Sequence, residues 1–101
     1  MLGNILKLVR IYNGLEVKEA SKQTGLDSNL IKKLEKGKSR IYLGTLEKFE
    51  RLYGMPISQM LLLNDMQERF YFDDKKILND IKIYYICKTD EEKTKVKRIG
   101  V

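Results

Sequence analysis

The sequence predicts an all-α protein: a bundle of five short helices over residues 1–63 and a short, helical C-terminal extension over residues 64–101. Three observations predict it. Apolar residues recur at helical spacing, and the alternation of a strand is missing from the first two-thirds of the chain. Glycines stand where those periodic runs stop, and the only proline, Pro56, falls between two of them. The length, 101 residues with a hydrophobic fraction of 43%, suits one small domain, or one domain with a short appendage.

In the first helix Leu2, Ile5, Leu6, Val9 and Tyr12 recur at helical spacing, and Asn13-Gly14 closes it. Val17 to Thr24 is a brief second helix stopped by Gly25, a residue suited to a left-handed turn. Ser28 is expected to cap the third, with Ile31 and Leu34 inward and Gly37 at its end. After the connection Lys38-Ser39-Arg40-Ile41-Tyr42, a fourth helix sends Leu46, Phe49 and Leu52 to the core and ends at Gly54. Pro56 occupies the turn before a fifth containing Ile57, Met60 and Leu61.

From Asn64 onward the pattern is open. Arg69-Phe70-Tyr71-Phe72 reads as a strand or a packed loop. Ile77, Leu78, Ile81, Tyr84 and Tyr85 form a helical stripe capped by Asp73 or Asp74, yet Ile81, Ile83, Tyr85 and Cys87 alternate as in a strand. Thr89 and Glu92 have capping-box spacing, which predicts a last helix after them.

The charge balance is basic: 20 Lys and Arg against 14 Asp and Glu, net +6, with an isoelectric point near 9.4. Its placement says more than its total. Residues 1–63 carry net +5 and residues 64–101 only +1. Lys32, Lys33, Lys36, Lys38 and Arg40 fall within nine positions interrupted by one acid, Glu35. A patch of this kind favours an anionic partner, nucleic acid before a membrane surface.

The absences exclude other classes. There is no histidine, so a nucleophilic triad or dyad of the usual kind cannot be assembled. A single Cys87 forms no internal disulfide or metal cluster; it is expected to be a small buried hydrophobe in a reducing, cytoplasmic compartment. Neither a glycine-rich phosphate loop, a long apolar span nor a cleavable leader is visible. The chain is therefore expected not to be an enzyme, and no cofactor, metal or membrane is expected.

The most informative stretch is VKEASKQTGLDSNLIKKLEKG, residues 17–37. Ala20 and Ser21 are small enough for two helices to approach closely, and Gly25 permits a sharp turn. Leu26, Ile31 and Leu34 then pin the second helix against the first. This is the spacing of a helix-turn-helix whose second helix keeps a free outer face. That face displays Ser28, Asn29, Lys32 and Lys33, short polar side chains suited to base edges and lysines suited to phosphates or guanine. Lys36, Lys38 and Arg40 follow it and are expected on phosphates, with Tyr42 or the Gly44-Thr45 amides holding another.

Over residues 2–63 the chain resembles the Xre-type helix-turn-helix family, which includes lambdoid phage repressors and Cro. The resemblance lies in Leu2-Gly3, Arg10, Ser21 with Gly25, Ile31, Leu34-Glu35-Lys36-Gly37 and Thr45-Leu46-Glu47-Lys48-Phe49. It implies a five-helix bundle whose third helix reads double-stranded operator DNA, usually as a homodimer. It also implies that Arg10 and Glu35 pair across the first and third helices. Val17 departs from the pattern, since the family often has a glutamine there on the DNA backbone; Lys18 is the expected substitute. The expected DNA-binding set is Lys18, Asp27, Ser28, Asn29, Lys32, Lys33, Lys36, Lys38 and Arg40.

The extension resembles only loosely the final helices by which regulators pair. Ile77, Ile81, Tyr84 and Tyr85 make a stripe more apolar than so small a domain easily covers. They are expected at a homodimer interface, or packed onto the bundle. Phe70, Tyr71, Phe72, Tyr84 and Tyr85 stand amid balanced charge and are expected in core or interface, not stacked on bases. The expected function is a transcriptional regulator, a repressor of phage or mobile-element type, cytoplasmic and nucleoid-associated when bound to DNA. The alternative is an antitoxin or anti-defence factor that binds a foreign protein through residues 64–101 and also regulates its own operon.

Overall fold

The computed structural model describes the backbone of residues 1–99 and the side chains of residues 1–88, and among these the fold is all-helical, with no strand. Six helices follow one another: α1 (Leu2–Tyr12), α2 (Val17–Thr24), α3 (Ser28–Glu35), α4 (Leu43–Tyr53), α5 (Ile57–Phe70) and α6 (Asp74–Ile99). Helix α1 is the hub. It packs against α3, α4, α5 and α6, while α2 lies across α3 and α4. Ile5, Leu6, Leu8 and Val9 of α1 are buried and meet the core residues of the other helices. Each such side chain contributes roughly 1.5–3 kcal/mol on leaving water.

The boundaries have local causes. Helix α1 ends where Gly14 takes a φ of 69°, with the Asn13 side-chain Nδ2 donating to the Val9 carbonyl at 2.7 Å. A reciprocal pair, Glu16 and Glu19, caps the start of α2, and Gly25 closes it at φ 77°. No atom lies near Gly25 where a Cβ would stand, so the left-handed backbone and not space requires glycine. At Gly3 the reverse holds. A Cβ there would overlap the Leu34 carbonyl oxygen, so this glycine lets α1 lie directly on the end of α3.

Several expectations are corrected at this level. The cap of α3 is Asp27, whose carboxylate accepts from the Asn29 amide at 3.1 Å; Ser28 is the first helical residue. In α4 Leu46 and Phe49 are buried and Leu52 packs partly against the core as expected, with Tyr53 added as a buried residue. Helix α5 continues to Phe70 and absorbs half of the aromatic run, exposing Leu61 and burying Leu63. Tyr71 then turns the chain at a left-handed φ of 55°, 91% exposed. Asp73, not Asp74, caps α6, accepting from the Lys76 amide at 2.8 Å.

Helix α6 runs without a break through residues 89–92, where a separate last helix was expected to begin. It also settles the choice between stripe and alternation. Ile77 and Ile81 are 0% exposed in the core, whereas Ile83 and Ile86 face outward. Cys87 is exposed, contrary to the expectation of a buried thiol. The Tyr12 and Tyr85 rings stack with centroids 5.2 Å apart, the Tyr85 hydroxyl donates to the Tyr53 carbonyl at 2.7 Å, and Lys88 donates to the Gly54 carbonyl at 2.7 Å. The last two bonds satisfy carbonyls left open at the end of α4, where a cation is also favoured by the helix dipole. Residues 74–88 are thus built into the bundle, and α5 crosses the boundary drawn at residue 63.

Candidate nucleic-acid interface

Helix α3 has two faces of opposite character. Ile31 and Leu34 are buried in the core, and Leu30 packs partly against it. On the other side Asn29, Lys32, Lys33 and Lys36 are exposed, and their spacing puts them on one strip of surface. The helix ends in a Schellman arrangement: the Gly37 amide donates to the Leu34 carbonyl at 3.1 Å and the Lys38 amide to the Lys33 carbonyl at 2.9 Å. That arrangement sets Lys38 just past the helix end, with Arg40 exposed beyond it in the same connection.

The expected residues therefore divide. Asn29, Lys32, Lys33 and Lys36 share the strip, and Lys38 and Arg40 extend the connection after it. Lys18 is exposed near the start of α2. Ser28 is half-buried, and the Asp27 carboxylate is engaged as a cap, so Asp27 is first of all a helix-starting residue. Of the groups considered for a phosphate at the start of α4, the Thr45 amide donates to the Tyr42 carbonyl at 3.0 Å and the Tyr42 side chain is exposed. Ile77 and Ile81 have no surface to offer a second copy, and Tyr84 and Tyr85 are half-buried against the bundle.

Beside the strip, Arg10 and Glu35 meet in a two-pronged pair: Nε to Oε2 at 2.7 Å and Nη2 to Oε1 at 3.0 Å. The third donor, Nη1, reaches the Leu15 carbonyl at 2.8 Å. Their side chains are only 12% and 7% exposed, and the hydrogen bonding to Glu35 raises the Arg10 pKa against the opposing effect of burial. The pair joins α1, α3 and the loop before α2, and so ties the helix that carries the exposed strip to the hub.

The pair also lies in an open groove between α1, α3 and the start of α2, about 500 Å³ in volume, lined by Asn4, Lys7, Arg10, Val17, Lys32, Glu35 and Lys36. Two of these, Asn4 and Lys7, were missed from the sequence. The available signal was that Lys7 stands one turn before Arg10 on the same side of α1. A second open groove lies between α2 and α4, lined by Gln23, Thr24, Lys48, Arg51 and Leu52. Among the described residues no helix is long and apolar enough to cross a membrane. Comparison with known proteins finds no matching family model, no matching curated protein and no matching solved structure.

Proposed function

We propose that this chain is a sequence-specific regulator that binds double-stranded DNA, a repressor of the Xre type, with α3 as the helix that enters the major groove. The observation that carries the proposal is the exposed strip Asn29, Lys32, Lys33 and Lys36 on a helix anchored from behind by Ile31 and Leu34. A short polar side chain near the N-terminal end and cations behind it match what base edges and phosphates require. In this proposal α1 to α5 are the family's five helices, α6 is an addition, and no catalytic step occurs. The protein acts in the cytoplasm, on the nucleoid.

One reading helix spans few base pairs, so two copies on a roughly palindromic site belong to the proposal, their helices about 34 Å apart. In this proposal the exposed apolar residues of α5 and α6 offered for pairing are Leu61, Leu62, Ile83 and Ile86, in place of Ile77 and Ile81. The same exposed residues favour the second reading, an antitoxin or anti-defence factor whose C-terminal part holds a foreign protein.

Selection of bound duplexes from a random pool, followed by affinities at several salt concentrations, tests the proposal. A palindromic consensus is expected. Asn29→Ala is expected to lose about 1–3 kcal/mol of preference at one base position, whereas Lys38→Ala or Arg40→Ala weakens all sequences alike. Absence of any enriched sequence, with equal losses on specific and random DNA for Asn29→Ala, refutes it.

A further inference from the structure

Rows of residues on two helices face each other across the groove beside α3. Asn4, Lys7 and Arg10 follow one another at three-residue steps along α1, and Glu35 and Lys36 stand three and four residues after Lys32 on the near flank of α3. At the inner end Arg10 and Glu35 neutralise one another at 2.7 Å. Lys7, Lys32 and Lys36 remain, all exposed, and among the described residues none of them has an acidic partner. Asp74, the acid joined to this end of α1, is bound by the amides of Asn4 and Gln67. Val17 adds an apolar wall without a side-chain donor. The result is a walled groove whose lining carries four cationic side chains against one carboxylate, running alongside the reading strip, while Asn29 and Lys33 lie outside it.

We propose that this groove binds the phosphodiester backbone of DNA, with Lys7 of α1 contacting a phosphate together with Lys32 and Lys36. The proposal rests on the DNA-binding role argued above and deepens it. It assigns Lys32 and Lys36 to the backbone and leaves base reading to Asn29 and Lys33. It also makes α1 a DNA-contacting helix as well as the hub of the core. Three ammonium groups with no carboxylate left to pair suit a chain of singly charged phosphates, and each contact made releases counterions.

The experiment uses the full chain and measures affinity for the selected duplex and for a random one as salt is varied. Lys7→Ala is expected to reduce the slope of log affinity against log salt by about 0.9, with the same fold-loss on both duplexes. Lys7→Arg is expected to keep the slope, and Lys82→Ala, on the exposed side of α6, to leave it unchanged. Lys7→Gln provides a second neutral variant, and circular dichroism checks that each is folded. If wild type binds DNA and both neutral variants keep its slope, the groove proposal is overturned while the role of α3 stands. A loss confined to the selected duplex also overturns it, because a base contact and not a phosphate is then involved. If wild type binds neither duplex at any salt, both proposals fall.

Discussion

Helices α3 and α6 are attached to the same hub by the same device and then part company. Each buries a pair of apolar side chains beside α1, Ile31 and Leu34 from one and Ile77 and Ile81 from the other. Their outer faces differ. The strip on α3 carries Asn29 and three lysines, whereas α6 leaves Ile83 and Ile86 about half exposed next to Lys82. The attachments beyond the core differ too. Helix α3 is held by a charged pair, Arg10 with Glu35, and α6 by a tyrosine stack, two bonds to backbone carbonyls and side-chain bonds from Asn4, Gln67 and Asn13. Equal burial therefore does not imply equal role. What a helix shows to solvent separates the two: a polar, cationic strip on α3 and a partly apolar face on α6.

The largest expected effect tests whether α6 is a brace or an appendage. Ile77→Ala and Ile81→Ala are each expected to lower stability by about 2–5 kcal/mol, the same range as Ile31→Ala, because all three leave a cavity in one core. A fragment ending at Asn64 loses both isoleucines and the Tyr85 clasp, and is expected to unfold without a cooperative transition. Urea titration of the three variants and the fragment decides it. A fragment with the midpoint of the full chain would show that residues 64–101 contribute nothing to the fold.

Next comes the charged attachment of α3. Arg10→Ala or Glu35→Ala leaves a nearly buried charge alone and is expected to cost about 3 kcal/mol. Replacing the pair together by Met and Leu is expected to cost far less, since no orphan charge remains. Thermal melts of the singles and the double distinguish the cases. Additive losses would mean that the two groups do not act as a pair.

The smallest effect sits where the two attachments meet. The Tyr53 hydroxyl is buried with no hydrogen-bond partner among the described residues, and burial pushes its pKa well up, with Glu35 adding to the rise. Burial also raises Tyr85, against the bond from Asn13. In the unfolded chain tyrosine ionises near pH ~10, so the stability tied to these neutral hydroxyls is complete below that pH. It is lost as pH climbs from there toward the raised folded values. The urea midpoint is thus expected to fall above pH ~10, and Tyr53→Phe to fall less steeply. At neutral pH Tyr53→Phe is expected to be within about 1 kcal/mol of wild type, since no bond is removed. An identical alkaline slope in the variant would remove Tyr53 from this account.

Local chemistry explains how much of this was legible in the residues. Gly25 and Gly54 end helices because a left-handed backbone suits glycine at low cost, whatever lies around them. The spacing of Ile31 and Leu34 marks an inward face, and the lysine run marks an outward one, without knowledge of any partner. Choices between equal local signals were not legible. Asp27 and Ser28 are both good caps, and the backbone bond to Asn29 selects Asp27. Thr89 and Glu92 spell a helix start, yet they lie inside α6, where the helix is already propagating and needs no new nucleus. The stripe containing Ile77 and Ile81 competes with a strand pattern until α1 supplies a surface that only the helical spacing can meet. Lys7 looks like any surface lysine until the absence of a Cβ at Gly3 brings α1 down onto α3 and sets it across from Lys32 and Lys36. Turns, periodicity and charge runs follow from neighbours along the chain, so the sequence determines them alone. Partners far apart in number meet only when helices pack, which is why the groove, the tyrosine clasp and the place of α6 were decided by tertiary structure.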